Sequence, residues 1–531
     1  MVGQAHTTTY EQTGFFSRIV IDYLNGNTAL QPFYQHPPNL EGIAKAIEHK
    51  KFSPSSRSIL MAVLQKQYTV VDKCEAVLTN IELLGQENTY SVCTAHQPNL
   101  FTGPLYFIYK ILHAIKLAQF LKEKFPERNF VPIYFMGSED ADLEELNHFT
   151  VSGKKYVWDT DQSGAVGRMV VDKKLIQLID GLQGQLVDQF GPQFITFLKK
   201  CYTPGRTIQE ATFELVHLLF SRFGLIVFIP DEADIKRPCI ELFKEELIHQ
   251  TSSAIVANTI KDLSKHYKVQ AHPRDINLFY LKENIRERII KKEEGFFIKN
   301  TQLHFTEEEM LAELENHPER FSPNVILRGL FQEIVLPNIA FIGGGGELAY
   351  WLQLKDLFDY FKTPFPVLIL RNSFLMVAKK WTEKMHRLGM QPAELFLPKM
   401  ELLNKLVIQQ SGEKISLEES ILQLKALYQR IQQQAVSITP TMSKHVLALQ
   451  TQTIGKVEAL EKKMLRAEKR KFKEEENKLE QIKNALFPNN NLQERIENIS
   501  GFYEQYGPAF IDAVYEASFP IVQKFVVMIE E

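Results

Sequence analysis

One stretch of this chain, residues 90–136, limits the possible folds more than any other. YSVCTA at 90–95 and FVPIYFM at 130–136 are short apolar runs that predict two buried strands. Between them, from Pro104 onward, apolar residues recur at helical spacing. A strand, a helix and a strand in succession predict a parallel βαβ unit with a right-handed crossover.

The same alternation continues along the chain. Further strand candidates are GLIVFIP (224–230), INLFYLK (276–282), IAFIG (339–343) and PVLILR (366–371). Helical or mixed segments separate them, which predicts an α/β fold with a Rossmann-like, mostly parallel, doubly wound sheet. The stretches 151–220 and 235–330 are longer than normal crossovers, and we interpret them as inserted connecting subdomains.

The character of the chain changes at about residue 380, where glycine becomes scarce and Gln, Lys and Glu become abundant. Apolar residues then follow a heptad pattern in two runs, which SITPTMS separates. Two helices joined by a turn predict an antiparallel coiled-coil arm, and an arm that dimerises would show the same pattern as one that folds only on itself. The predicted domains are 1–89 (helical part of the core), 90–380 (Rossmann-like core), 381–508 (coiled coil) and 509–531 (return to the core).

Composition excludes several classes of protein. The net charge of −3 gives no reason to expect a nucleic-acid partner. No apolar stretch reaches the length of a membrane span, and the polar N-terminus does not resemble a signal peptide, so we expect no membrane partner and a cytoplasmic location. The four dispersed cysteines predict neither disulfides nor a metal site.

Polar residues follow the first two predicted strands directly. His96 and Gln97 come after one strand, and Ser138, Asp140 and Asp142 come after the next. Because ligands of open α/β sheets bind outside the carboxyl ends of the strands, these side chains are expected to share one cleft. The imidazole suits proton transfer, and the carboxylates suit holding an ammonium group or accepting a proton. The alternative is that the acidic loop merely begins a helix.

A second candidate is IAFIGGGGELAYW at 339–351, where an apolar strand runs into four glycines and then a helix. Glycines let backbone N–H groups approach an anion, so a nucleotide phosphate or a carboxylate is a plausible ligand. The alternative is a tight turn with close packing. The residues concerned are Gly343, Gly344, Gly345 and Gly346 as cofactor-binding candidates, followed by Glu347, Tyr350 and Trp351, the last of which could equally be a core residue.

Two arginines interrupt apolar runs. Arg328 lies in SPNVILRGLFQE, after Asn324, and Arg371 ends PVLILR. A charged side chain in such a run is usually paired. Each arginine could pair with an internal carboxylate or with an acid group of a substrate.

At this point three segments together resemble a known family. TAHQPNLFTGPLYFIYKILHAIKLA, VPIYFMGSEDADLEELNHF and SPNVILRGLFQEIVLPNIAFIGGGGELAYWLQL are similar, in this order, to the bacillithiol biosynthesis cysteine-adding enzymes, also called cysteine ligases. The resemblance implies a Rossmann-like core similar to class I nucleotidyltransferases, with connecting-peptide inserts and a coiled-coil domain that forms a homodimer. It also implies a ligase that joins L-cysteine to glucosaminyl-malate to give bacillithiol.

The resemblance extends to individual residues. His96 stands where the family usually has glutamine, Ala141 where histidine is usual, and Gly345 where proline is frequent. The predicted catalytic residues are His96, Asp140 and Asp142. The predicted substrate-binding residues are Gln97, Asn99, Gly103, Tyr106, Lys110, Ser138, Asn324, Arg328, Glu347, Tyr350, Trp351 and Arg371.

The chemistry of the implied reaction suggests a cofactor. An amide does not form spontaneously from a free carboxylate and an amine in water, so we hypothesise activation by ATP or another nucleotide, without a metal site evident in the sequence. Two alternatives remain open from the residues. One is another adenylate-forming ligase on the same scaffold, and the other is a non-enzymatic, nucleotide-binding coiled-coil scaffold.

Overall fold

The computed structural model describes residues 3–531, with side chains at all of these positions except 412–415, and the chain divides into two compact units. The first unit is Met1–Leu375 with Asn491–Val526, and the second is Met376–Asn490 with Val527–Glu531. Residues 491–508 therefore belong to the first unit, whereas the sequence assigned them to the coiled coil. The reason is packing: buried Tyr503 lies against Phe194, with ring centroids 5.2 Å apart.

The described part of the chain contains fifteen strands, of which the last two each begin in the first unit and end in the second. The strands are β1 Gly3–Thr8, β2 Thr89–His96, β3 Asn129–Met136, β4 His148–Val151, β5 Lys154–Val157, β6 Ile226–Phe228, β7 Leu278–Lys282, β8 Ile285–Lys292, β9 Gly295–Ile298, β10 His304–Phe305, β11 Phe321–Pro323, β12 Asn338–Gly343, β13 Val367–Leu370, β14 Ser373–Val377 and β15 Phe525–Glu530.

The helices of the first unit surround its sheets, and those numbered α18 to α22 form the second unit. They are α1 Tyr10–Thr13, α2 Arg18–Leu24, α3 Leu40–His49, α4 Pro54–Gln67, α5 Glu75–Leu83, α6 Tyr106–Lys124, α7 Leu143–Leu146, α8 Lys173–Gln183, α9 Gly191–Cys201, α10 Ile208–Phe220, α11 Ala233–Lys236, α12 Ile240–His249, α13 Thr251–Leu263, α14 Glu307–Asn316, α15 Val325–Val335, α16 Gly345–Trp351, α17 Lys355–Tyr360, α18 Lys379–Arg387, α19 Lys399–Ile415, α20 Glu418–Ile438, α21 Met442–Lys469, α22 Lys473–Leu486, α23 Ser500–Tyr506 and α24 Pro508–Ala517.

The central sheet of the first unit is parallel, with strand order β13-β12-β2-β3-β6. The strands β2 and β3 are joined through α6, as the βαβ prediction required. Each strand reads as a nearly continuous apolar run because helices cover both faces of such a sheet. The Rossmann-like fold class is thus confirmed.

A hydrophobic core fixes the crossover helix on this sheet. Val92 of β2 and Ile342 of β12 belong to one buried cluster with Ala114, Leu117 and Leu121 of α6. The three helical residues are three or four positions apart and therefore lie on one face of α6. This packing places the amino end of α6 beside the carboxyl ends of β2 and β12.

One predicted strand belongs elsewhere. INLFYLK at 276–282 was expected in the parallel sheet, but β7 lies in a separate antiparallel sheet of order β10-β9-β8-β7-β11. A short apolar run carries no information about which sheet it joins, and the partner of β7 is its hairpin neighbour β8, only two residues away. The second inserted stretch thus has a small sheet of its own.

The second unit contains the predicted arm. Tyr428 of α20 shares a hydrogen bond with Thr453 of α21 at 2.8 Å, and Gln432 donates one to Ser443 at 2.8 Å. Moving forward along α20 therefore means moving backward along α21, so the two helices are antiparallel. Among the described helices, none has the length and apolar character needed to cross a membrane.

Candidate active site

A cavity of about 550 Å³ opens at the carboxyl ends of the central parallel strands. Its walls come from the loops after β2 and β3, from the starts of α6, α15 and α16, and from the inserted β8. Ligands of open α/β sheets bind at this edge, where the strand order changes direction. The cavity lies entirely within the first unit.

The two predicted strand-end loops meet in this cavity. In the parallel register His96 lies beside Met136, and the Gly137 N–H donates to the carbonyl of His96 at 2.8 Å. Gln97 Nε2 donates to Asp140 Oδ2 at 3.3 Å. His96 and Asp140 both line the cavity, so the shared cleft predicted from the sequence exists.

Asp140 is held as an anion. Arg328 approaches its Oδ2 to 3.4 Å, and Arg286 approaches Oδ1 to 3.8 Å. Burial by itself raises the pKa of this carboxyl, but the two guanidinium groups, together with hydrogen bonds from Gln97 and the Asp142 N–H, more than offset burial and lower the pKa to about 2. Asp140 is therefore charged at physiological pH and is suited to hold an ammonium group rather than to accept a proton.

His96 is held neutral. Its ring lies 5.3 Å from that of Tyr106, in an edge-on arrangement. Burial, and then the nearby charges of Lys110 and Arg371, keep its pKa well below the usual value. Its Nε2 is shielded from water and has no hydrogen-bond partner among the described residues. A buried polar atom of this kind is costly unless a ligand completes its bonding.

The glycine turn also borders the cavity, but one of its amides is already used. Glu347, in the first turn of α16, accepts a hydrogen bond from the Gly344 N–H at 2.7 Å and forms an ion pair with Lys110. Lys110 also donates to the carbonyl of Ala95 at 2.9 Å. An added Cβ at Gly345 would lie 3.3 Å from Val20, so close packing accounts for part of this turn.

Arg371 pairs with an internal carboxylate and also lines the cavity. It is buried, its NH2 donates to Glu494 at 2.7 Å, and its NH1 donates to Ser373 at 3.0 Å. The same side chain lines the cavity. It is therefore fixed by an internal carboxylate and still faces the space in which a ligand would bind.

The cavity brings together most of the predicted site residues. Those in its walls are His96, Gln97, Tyr106, Lys110, Asp140, Asn324, Arg328, Gly344, Gly345, Gly346, Glu347, Tyr350 and Arg371. Those outside its walls are Asn99, Gly103, Ser138, Asp142, Gly343 and Trp351.

Two of these outer residues have clear structural tasks. Asp142 caps α7, and its Oδ1 accepts from the Glu145 N–H at 3.2 Å, so its place in the predicted catalytic set is not supported by position. Trp351 is 1% exposed and stacks on Phe341 with ring centroids 4.5 Å apart, which makes it a core residue rather than a wall of the pocket.

The predicted site residues do not include a group of charged wall residues, of which one lies in the acidic loop after β3 and the others lie on distant segments. They are Glu145, His272, Arg274, Arg286, Arg288 and Arg495. Alternation in β8 could have indicated that Arg286 and Arg288 share one face, because side chains two apart in a strand point the same way. Nothing local indicated that this face would border the cavity.

The cavity carries an excess of positive charge. Among the described residues that line it, seven are lysines or arginines and three are carboxylates. Arg286 lies over the ring of Phe279 at 4.0 Å, which keeps its guanidinium in place. Guanidinium groups bind carboxylates and phosphates through bidentate hydrogen bonds, so the arrangement suits an anionic ligand.

Fold and site together define a Rossmann-like protein with a cationic cavity at the strand ends and a coiled-coil unit. The profile described as "Bacillithiol biosynthesis BshC, N-terminal Rossmann-like domain" matches residues 4–372, and "Bacillithiol biosynthesis BshC, C-terminal coiled-coil domain" matches residues 374–530. The chain belongs to the BshC family of bacillithiol biosynthesis.

Curated relatives agree over nearly the whole length. A protein of Flavobacterium johnsoniae named "Putative cysteine ligase BshC" is 40% identical over 520 residues, covering 97% of this chain and 98% of the relative. Proteins of the same name from Christiangramia forsetii and Salinibacter ruber are 38% and 29% identical. They cover 98% and 97% of this chain, and 98% and 96% of their own lengths.

Proposed function

We propose that this chain is a ligase that joins the carboxyl group of L-cysteine to the amine of glucosaminyl-malate, which gives bacillithiol. The names of its relatives support the ligase activity and cysteine as a substrate. The observation that carries the proposal for this chain is the arginine-rich cavity around the ionised Asp140.

The two kinds of charge in the cavity fit the two ends of these substrates. The malate part of the acceptor brings carboxylates, which the guanidinium groups of Arg286 and Arg328 can bind. Both substrates carry an amine, and Asp140 is an anion that can hold it as ammonium until it reacts. The Nε2 atom of His96, which has no partner among the described residues, can form a hydrogen bond with the reacting amine.

We further propose a nucleotide as the source of carboxylate activation. The cysteine carboxylate would attack the γ-phosphorus of ATP, giving an acyl-phosphate and ADP, or the α-phosphorus, giving an acyl-adenylate and pyrophosphate. Attack by the amine on the acyl carbon would then form the C–N bond and break the bond from that carbon to the phosphate oxygen, so that phosphate or AMP leaves together with a proton. The cationic wall and the turn at Gly344–Gly346 are suited to phosphate oxygens, although Glu347 occupies the Gly344 amide.

We expect the purified full-length chain to make bacillithiol from glucosaminyl-malate and L-cysteine when ATP is present. Mass spectrometry measures the thiol product, and chromatography measures AMP and ADP. Omission of ATP should abolish the product, because the free carboxylate is not activated. Omission of cysteine should abolish both the product and any nucleotide consumption that depends on the acceptor.

The other outcomes separate the alternatives. Product without nucleotide consumption would contradict the activation scheme but not the ligase. Cysteine-dependent formation of AMP without bacillithiol would favour another adenylate-forming ligase on this scaffold. Binding of ATP without turnover of any substrate would favour a nucleotide-binding scaffold.

We also propose that the arm mediates a homodimer. Leu427, Ile431 and Ile438 are exposed on α20, at spacings of four and seven that place them along one stripe. An apolar stripe of this kind on a solvent-facing helix is typical of an interface between chains. The family resemblance implies the same role for the arm.

We expect the wild-type chain to sediment at twice the mass of a single chain. The double substitution Leu427→Lys and Ile438→Lys should convert it to a monomer, because two buried charges would face each partner helix. Val187→Lys, at a side chain that is 72% exposed in the first unit, is the matched control and should remain dimeric. A monomeric wild type in analytical ultracentrifugation would contradict the proposal.

A further inference from the structure

The segment 494–498, which has the sequence ERIEN, contacts Arg371 and the loop at 101–103, although it is distant from both in sequence. It belongs to the first unit and follows the coiled coil in sequence. Three of its five residues bear on the cavity, each in a different way. None of them is predicted by the sequence motifs that led to the site.

Glu494 is the internal partner of Arg371. It is fully buried, and its Oε1 accepts from Arg371 NH2 at 2.7 Å. Its Oε2 accepts from the Phe374 N–H at 3.1 Å, so both oxygens are fixed. The orientation of Arg371 in the cavity wall therefore depends on this segment.

Asn498 holds a strained loop. Phe101, Thr102 and Gly103 have successive φ angles of +52°, +75° and +62°, and the first two carry side chains that disfavour this region. Asn498 Nδ2 donates to the carbonyls of Phe101 at 2.9 Å and Gly103 at 2.6 Å. Its Oδ1 accepts from the Ser500 N–H at 2.9 Å, which fixes the amide.

The strained loop leads directly into α6, which carries two wall residues of the cavity. Tyr106 lies three positions after Gly103, and Lys110 one helical turn further. A strained backbone persists only where its surroundings enforce it, and such segments cluster at functional sites. Asn498 thus has the geometry of a residue that sets the position of this wall.

Arg495 lies between these two supports and lines the cavity itself. Its side chain is exposed, and among the described residues no carboxylate lies within ion-pair distance of its guanidinium. Arg286, Arg328 and Arg371 each have an internal carboxylate partner. Arg495 is therefore a cation whose hydrogen-bonding capacity is open to a ligand.

We infer that the segment 494–498 completes the ligand cavity, with Arg495 as an anion-binding residue and Asn498 as a positioning residue. The ligand group that Arg495 recognises is a carboxylate or a phosphate, which share the geometry of paired oxygens. The inference rests on the proposed function, since it takes this cavity as the place where the acceptor and the nucleotide bind.

Calorimetric titration of the full chain with glucosaminyl-malate alone and with ATP alone tests Arg495. Arg495→Ala should raise one Kd by about tenfold or more, and Arg495→Lys should restore part of the loss. If the Kd for glucosaminyl-malate rises, the group that Arg495 binds is a carboxylate. If the Kd for ATP rises, that group is a phosphate. Arg128→Ala, at a half-buried arginine outside the cavity walls, should leave both Kd values unchanged.

Unchanged Kd values for both ligands in Arg495→Ala would overturn the inference and leave the proposed function standing. A wild type that binds neither ligand would overturn both.

Asn498 is tested by steady-state ligation kinetics. Asn498→Ala should lower kcat by about tenfold or more, because the wall that carries Tyr106 and Lys110 would shift. The matched control is Asn80→Ala, which removes a comparable amide bond to the Gly224 carbonyl, 2.7 Å long and outside the cavity walls. Equal kcat values in the two variants would overturn the positioning role. If Asn498→Ala does not fold, the Arg495 titrations decide the inference.

Discussion

Replacing Asp140 by asparagine should lower kcat/KM for bacillithiol formation by about 10²- to 10³-fold. The substitution keeps the shape of the side chain but removes the one negative charge that Arg286 and Arg328 share. Without this charge, the net charge of the cavity is more positive, and the group that could bind an ammonium ion is lost. Ligation rates measured over a range of both substrates give the effect.

The size of this effect depends on Asp140 being ionised throughout the working range of pH. Its pKa of about 2 lies below the unperturbed value, so the charge is present above about pH 4 and is lost only in stronger acid. We therefore expect that ionisation of Asp140 does not change the kcat/KM of the wild type between pH 5 and 9.

The control for this substitution is Asp161→Asn, because the side chain of Asp161 is fully exposed and lies outside the cavity walls. It should keep the wild-type kcat/KM. An Asp140→Asn enzyme that is as active as this control would remove the carboxylate from the mechanism.

Replacing Lys236 by methionine should reduce the free energy of unfolding of the first unit by about 3–5 kcal/mol. Lys236 is not exposed at all, and it forms ion pairs with Glu139 and, at 3.6 Å, with Asp231. Methionine fills a similar volume but leaves Glu139 without its cation. An unpaired buried carboxylate costs more than a missing surface pair, because the interior cannot solvate the charge.

This buried network also supports the site. Glu139 accepts a hydrogen bond from Ser322 at 3.2 Å, and Ser322 in turn accepts one from Arg286 at 3.4 Å. Loss of Lys236 should therefore disturb Arg286 as well as stability. Urea unfolding followed by tryptophan fluorescence measures the stability of the variant.

The matched control is Lys45→Met, which breaks an exposed ion pair with Glu41 on one helix. It should leave the free energy of unfolding close to that of the wild type, because exposed ion pairs contribute little to stability. If Lys236→Met unfolded at the same urea concentration as Lys45→Met, the buried network would not be a stabilising element.

The parallel sheet and one side of the site were predictable because their signals are local. A strand buried on both faces must be apolar throughout, and its end is marked by polar or glycine residues, as at His96 and Gly343. Parallel strands also bring their carboxyl ends to one edge, so the proximity of His96 and Asp140 followed from topology alone.

The other side of the site was not predictable, because it depends on contacts between segments far apart in sequence. Arg286 and Arg288 lie in an inserted antiparallel sheet, and only tertiary packing decides which face of it borders the cavity. INLFYLK was misassigned for the same reason. Arg371 could be recognised as a paired charge, but its partner, Glu494, lies beyond the entire coiled coil.

The first unit is built from two stretches of chain, with almost all of the second unit made between them during synthesis. A nascent chain that has emerged only as far as Leu375 contains every strand of the parallel sheet. It still lacks Glu494, the carboxylate partner of Arg371, and Asn498, whose amide binds the loop at Thr102. The ribosome must translate the long helices before it reaches residues 494–498. If the segment 494–498 completes the cavity as we infer, a chain that ends before this segment should have no ligase activity.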